Sequence, residues 1–217
     1  MNINKLLLTI LATTTAIGVG STTAFAAEAD SATSSAHIKL QQGETTGPVD
    51  PIDPSEPGGE TGNEGPLTID NVTPFEFGTH DIESATQTYS IIAKNANVQV
   101  SDRRGEGQGW TLQVALSTFN DKDDASKVLK GATLAIPQGT LKTTEGNVSE
   151  EPTNFAVSLA ADGQSSATLM QADEKKGMGT WVDAFASEEV KLTVPAGNFS
   201  GDYSATLNWS LIDAPTK

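Results

Sequence analysis

The sequence predicts an all-β protein, a single antiparallel β-sandwich or Greek-key-like domain at 66–217, preceded by a secretion signal peptide at 1–26 and a disordered acidic linker at 27–65. Three observations lead there. After Pro66, apolar and polar residues alternate with period two in short runs bounded by Gly, Pro, Asn or Asp, the pattern of half-buried antiparallel strands. Only one stretch, 122–130, reads as a helix, and it is about two turns long. The runs are too closely spaced for the strand and long-helix alternation of an α/β enzyme.

The N-terminus has one cation, Lys5, then an apolar stretch from Leu6 that thins through Thr13 and Thr15 and ends near Val19. It closes on Ala24-Phe25-Ala26, small residues flanking a large one, which suits signal peptidase cleavage after Ala26. The apolar stretch is shorter than the roughly 20 residues of a spanning helix, so no membrane span is expected in the mature chain. Secretion without a single cysteine fits a bacterial surface, because small extracellular eukaryotic domains usually rely on disulfides. The sequons at Asn71, Asn147, Asn198 and Asn208 then read as chance matches. No sorting motif, hydrophobic segment or basic tail follows Ile212, so the protein is expected either to be released or to be held at the surface by a folded domain's own affinity.

Residues 27–65 hold eight acids against the single base Lys39 and few large apolar side chains. Such a segment cannot bury enough apolar area to offset its chain entropy. Spaced prolines at 48, 51, 54 and 57 favour extended backbone, so a semi-stiff spacer is expected.

Strands are predicted at 67–72, 75–78, 88–93, 98–101, 110–118, 133–136, 155–159, 167–170, 190–194 and 203–212. In the run from Trp110, the period-two rule puts Trp110, Leu112, Val114 and Leu116 in one row. In the last run it aligns Tyr203, Ala205, Leu207, Trp209 and Leu211. A continuous apolar row opposite Thr111, Gln113, Asn208 and Ser210 is what a sandwich core requires, so core packing is the first reading of both tryptophans. Stacking on sugar rings is the second.

Charge narrows the partners. With 13 Lys+Arg against 28 Asp+Glu, the net charge is −15, and losing Lys5 with the signal leaves −16. A phosphate backbone attracts basic patches, and the only adjacent arginines, Arg103 and Arg104, sit between Asp102 and Glu106, so no nucleic acid is expected. Two histidines, His37 and His80, and no cysteine give a poor ligand set for zinc, and no metal or cofactor is expected. No Gly-x-Ser-x-Gly elbow, His-Glu-x-x-His or phosphate loop is present, and among the many carboxylates nothing singles out a glycosidase pair, so no catalytic residues are assigned.

An ordered set of motifs carries a resemblance. Gly65-Pro66-Leu67-Thr68-Ile69-Asp70 opens the domain, and Val98-Gln99-Val100-Ser101-Asp102-Arg103-Arg104-Gly105 leads into Gly109-Trp110-Thr111-Leu112. Gly177-Met178-Gly179-Thr180-Trp181 follows, and the chain closes on Thr206-Leu207-Asn208-Trp209-Ser210-Leu211. This set resembles the WxL domain family of Gram-positive surface proteins, over Pro66 to the C-terminus. The resemblance implies non-covalent attachment to the cell wall, on peptidoglycan, with both Trp-x-Leu motifs (Trp110 and Leu112, Trp209 and Leu211) needed. It also implies complexes with other surface proteins.

Need for a motif does not show that its atoms touch the wall, since removing a core tryptophan costs about 3 to 5 kcal/mol and unfolds many domains. Loops supply other candidate contacts. Arg103 and Arg104, in a Gly-rich turn, suit capture of stem-peptide carboxylates or teichoic phosphates, or else form locally paired charges at a hairpin tip. Trp181 reads as an exposed aromatic or as a cap on the core. A wall-binding module, a subunit of a surface adhesin complex and a wall hydrolase follow as readings, in that order. A chain of −16 on an anionic wall must bind through local contacts against a repulsive background, so retention is expected to improve as pH falls or salt rises, with Arg103 and Arg104 contacts as the exception.

Overall fold

The alternating runs fold as strands that pair only antiparallel. The computed structural model describes residues 30–42 and 46–215. The expected signal peptide lies outside the described residues. The chain divides into a unit of residues 1–39 and a unit of residues 40–217. In the first, residues 30–39 are exposed and have no regular secondary structure.

In the second, the strands are Leu67–Val72 (β1), Gln87–Ser90 (β2), Asn97–Asp102 (β3), Trp110–Leu116 (β4), Asn120–Asp121 (β5), Thr133–Ile136 (β6), Thr140–Thr143 (β7), Thr153–Asn154 (β8), Val157–Ala160 (β9), Ser166–Ala172 (β10), Gly179–Ala184 (β11), Lys191–Val194 (β12), Tyr203–Ser204 (β13) and Leu207–Ile212 (β14). They form three four-stranded sheets, in the orders β1-β3-β11-β7, β14-β4-β10-β8 and β2-β12-β6-β9, and a ribbon of β13 with β5. Val98 and Val100 of β3, the Trp110 row of β4, Leu134 and Ile136 of β6, Leu159 of β9 and Met170 of β10 share one apolar core. The expected all-β antiparallel class is the class observed.

Four local expectations differ. Residues 122–130 form turns, because the Asp121 carboxylate accepts the backbone N–H groups of Asp123 and Asp124 at 3.0 and 2.9 Å and so competes with a helical ladder. Residues 75–78 form no strand, and the run at 203–212 breaks between β13 and β14, where Ser117 Oγ accepts the Thr206 N–H at 2.8 Å. Strands β7 and β11, and the two-residue β5 and β8, were not expected. The middle four residues of β11 are buried without alternation, which removes the period-two signal.

The fourth difference concerns the spacer. Its C-terminal part is held against the first sheet. The outward-facing row of β3, Asn97, Gln99 and Ser101, is polar yet buried. Residues 50–57 lie along it: Gln99 Oε1 accepts the Ile52 N–H at 2.8 Å, Asn97 Nδ2 donates to the Asp53 carbonyl at 2.7 Å, and Lys142 pairs with Asp53. Residues 59–61 then extend the β1 edge, with Gly59 O accepting from Val72 N and Asp70 O from Thr61 N, both at 2.9 Å. A proline-rich strap with few N–H groups suits side-chain amides that can either donate or accept. Composition alone registers the strap's lack of apolar side chains and not the backbone hydrogen bonds that tether it.

Candidate functional site

The two Trp-x-Leu motifs form one unit. β4 and β14 are antiparallel neighbours, with Leu112 opposite Leu211, Val114 opposite Trp209 and Leu116 opposite Leu207. Residues directly opposite share a sheet face, so both apolar rows point to the same side. Trp110 and Leu112 have no exposed surface. The Trp110 Nε1–H donates to the Gly177 carbonyl at 3.0 Å, which satisfies the one polar atom of a buried indole. Gly177 has φ of +68°, and a Cβ there would collide with Ala172 and the Trp110 ring, so this glycine is dictated by close approach as well as by backbone conformation. Trp209 and Leu211, on the edge strand, are half-buried and pack on the same core.

The other predicted contacts are also internal. Trp181 is only 5% exposed, and its Nε1–H donates to the Met178 carbonyl at 3.0 Å. Arg104 is buried and forks onto Asp102, Nε to Oδ1 at 2.9 Å and Nη2 to Oδ2 at 2.7 Å, while Nη2 also donates to the Gly109 carbonyl at 2.8 Å. It also pairs with Asp213, tying the loop before β4 to the end of β14. Arg103 Nη2 donates to the carbonyls of Gly47 and Gly65 at 2.7 and 2.8 Å. Both guanidiniums therefore fasten chain segments, and for Arg104 the fork onto Asp102 is the locally paired charge that was the alternative to ligand capture.

The concave surface lies elsewhere. A groove of about 730 Å³ runs between the loop at 75–83 with β2 on one side and the segment 195–205 on the other. Leu116, Leu134 and Leu192 form its buried floor, so the apolar rows of β4 and β14 end at this groove through Leu116 and Leu207. Four of the chain's seven phenylalanines and both tyrosines line it, and none of the tryptophans does. Its volume falls in the ordinary range for a ligand cleft.

Local hydrogen bonds hold the walls. The His80 and Tyr89 rings stack with centroids 3.8 Å apart, and His80 Nε2 lies 2.6 Å from the Phe77 carbonyl. On the facing wall, the Tyr203 hydroxyl donates to the Phe199 carbonyl at 3.0 Å. Asn198 bridges to Lys130, its Oδ1 accepting that N–H at 2.7 Å. Asp121 Oδ2 accepts the Asp202 N–H at 3.1 Å, and Lys122 pairs with Asp202 at 2.8 Å, which raises the lysine's pKa through that hydrogen bond and charge. Phe199 is 69% exposed and Ile82 63%, so the rim presents apolar surface to solvent. The sequence reading did not find this groove. The available signal was two aromatic-carboxylate clusters, Phe75-Glu76-Phe77 and Phe199 to Asp202-Tyr203, with Phe77 and Phe199 122 positions apart and without a shared period.

One buried acid stands apart. Asp183 of β11 pairs with Val98 and Leu141, on the core side of its sheet, and has no exposed surface. Asn154 Nδ2 donates to its Oδ1 at 2.6 Å, while Oδ2 has no hydrogen-bond partner among the described residues. Burial pushes its pKa up to about 6, and the Asn154 hydrogen bond only partly opposes this.

The antiparallel frame, the tryptophan-anchored core and the groove define an all-β domain with an open cleft. Comparison with protein families supplies the functional class: the profile described as "WxL domain surface cell wall-binding" matches residues 27–215. The chain belongs to this WxL family of cell-wall-binding surface domains. The match starts well before Pro66, and so includes the strap at 50–61 that completes the first sheet. Neither the curated proteins nor the solved structures yield a match to the chain. Among the described residues, no helix is long and apolar enough to cross a membrane.

Proposed function

We propose that the chain is secreted through the signal at 1–26 and that the unit at 40–217 attaches non-covalently to the peptidoglycan of a Gram-positive wall, as a binding module without catalytic activity. Membership of a cell-wall-binding surface family carries this reading. A framework role for the Trp-x-Leu residues is supported by burial: Trp110 and Leu112 have no exposed surface, and Trp209 and Leu211 are half-buried against the same core from the edge strand. Attachment then uses the groove that these strands support. Sedimentation of the folded chain with purified peptidoglycan tests the proposal, and a folded chain that stays in the supernatant contradicts it. Because both loop arginines are committed internally, retention should rise with salt and with falling pH, without an arginine-dependent exception.

A second reading, a subunit of a surface complex, is favoured by β14. This strand lies at the edge of its sheet among the described residues and is suited to pairing with another chain. Co-purification after complete digestion of the wall separates the two: partners that stay with the chain support the complex, and loss of all partners supports the wall.

A further inference from the structure

We infer that the groove between 75–89 and 195–207 binds a neutral hexosamine glycan strand, and that it takes the sugar backbone of the wall in preference to its stem peptides or anionic polymers. The inference rests on the wall-attachment reading for its biological ligand but on the groove's own chemistry for the class.

Two properties define that chemistry. The first is ring density. Phe77, Tyr89, Phe119, Phe199 and Tyr203 line a single cleft, and Phe199 stands open at the rim. The C–H faces of pyranose rings are apolar and flat and pack on such rings, and an acetamido methyl fits the same surface. Phe199 offers an open ring, and the partly exposed Phe77, Phe119 and Tyr203 rings and the His80–Tyr89 stack line the cleft with polar groups between them, which suits a ligand whose two ring faces are apolar and whose edge is a belt of hydroxyls.

The second is charge. Glu76, Asp81, Glu83 and Asp202 line the groove, and Lys122, the only Lys or Arg among its lining residues, is engaged by Asp202. Poly(glycerol phosphate), teichoic phosphates and stem-peptide carboxylates would meet net repulsion here. A neutral glycan meets none, and its hydroxyl and amide N–H groups find carboxylate acceptors in Glu76, Asp81 and Asp202 together with the Asn198 loop. The secreted chain, at −16 without Lys5, can thus hold an anionic wall by gripping a neutral component of it.

The test is an equilibrium titration of the full secreted chain with N-acetylchitohexaose, with poly(glycerol phosphate) as the anionic probe, beside sedimentation on peptidoglycan. Phe199→Ala and Ile82→Asp, at exposed rim positions, should keep the wild-type melting temperature while each weakens oligosaccharide binding by roughly tenfold. The hexaose should displace the chain from peptidoglycan, and the phosphate polymer should not bind. Retention on peptidoglycan without hexaose binding, unaffected by either variant, overturns the groove assignment and leaves wall attachment standing. Hexaose binding that depends on Phe199, without retention on peptidoglycan, upholds the groove and removes the wall reading. Dependence on Phe199 for capture of a protein, with no hexaose binding, overturns the glycan in favour of a polypeptide ligand.

Discussion

Replacing Trp110 separates a structural motif from a contact motif. Its side chain has no exposed surface, and its indole N–H is bonded to the Gly177 carbonyl at 3.0 Å. Trp110→Ala removes the transfer energy of a large aromatic and leaves a cavity, a loss of about 3 to 5 kcal/mol. A domain of ordinary stability holds only about 5 to 15 kcal/mol, and at this size each kcal/mol moves the melting temperature by about 2 to 4 °C, so the midpoint should fall by roughly 6 to 20 °C. Trp110→Phe is the more informative variant. It keeps most of the apolar bulk but orphans the Gly177 carbonyl, a cost of about 1 to 3 kcal/mol, which leaves a folded domain with a lowered midpoint. Thermal unfolding followed by the fluorescence of the remaining tryptophans gives the stability, and sedimentation on peptidoglycan well below each midpoint gives the binding. Trp110→Phe should bind the wall as the wild type does at such temperatures, with binding lost only where the fold is lost. A Trp110→Phe chain that melts at the wild-type temperature and yet fails to bind would refute the structural assignment and place the indole on the ligand.

Two further outcomes follow from buried charge. Asp183 has a folded-state pKa of about 6, raised above its ordinary value of 3.8, so the folded state holds this proton more tightly than the unfolded one. Its contribution is therefore fully present below about pH 4 and lost as pH rises to 6, a fall of about 3 kcal/mol for a shift of roughly two pH units. Urea titrations of wild type and Asp183→Asn between pH 3.5 and 7 should differ by a curve with that window and sign, and a flat difference would show that Asp183 is ionised throughout. Arg104→Ala leaves the buried Asp102 carboxylate without its fork and should cost about 3 to 5 kcal/mol, read as a drop in the urea midpoint. If Arg104 instead served the ligand, wall retention would fall with no change in that midpoint.

The parts of the fold that were legible in the sequence are those where one face meets the core and the other meets water. β1 and β6 have the expected bounds, and the row from Trp110 to Leu116 is buried as its period-two pattern requires. β11 was missed because its middle four residues are buried on both faces, Trp181 and Asp183 on the core side and Thr180 and Val182 on the other, so its burial does not alternate. The helix expected at 122–130 fails because Asp121 spends its carboxylate on the turn that carries the groove wall. The arginines stayed open between ligand capture and local pairing because sequence shows charge without its partners, and Asp213 lies 109 positions from Arg104. The groove was illegible for a similar reason. Phe75 and Phe77 come before β2 and Phe199 after β12, and only the pairing of β2 with β12 brings these loops to the same end of one sheet.

Hydrogen–deuterium exchange of the chain, free and bound to sonicated peptidoglycan fragments, locates the attachment face most directly. The account predicts new protection in 75–89 and 195–205, with the already protected amides of β4 and β14 unchanged. New protection confined to 109–112 and 207–212, with the groove segments exchanging as in the free chain, would contradict it and return the Trp-x-Leu motifs to the binding surface.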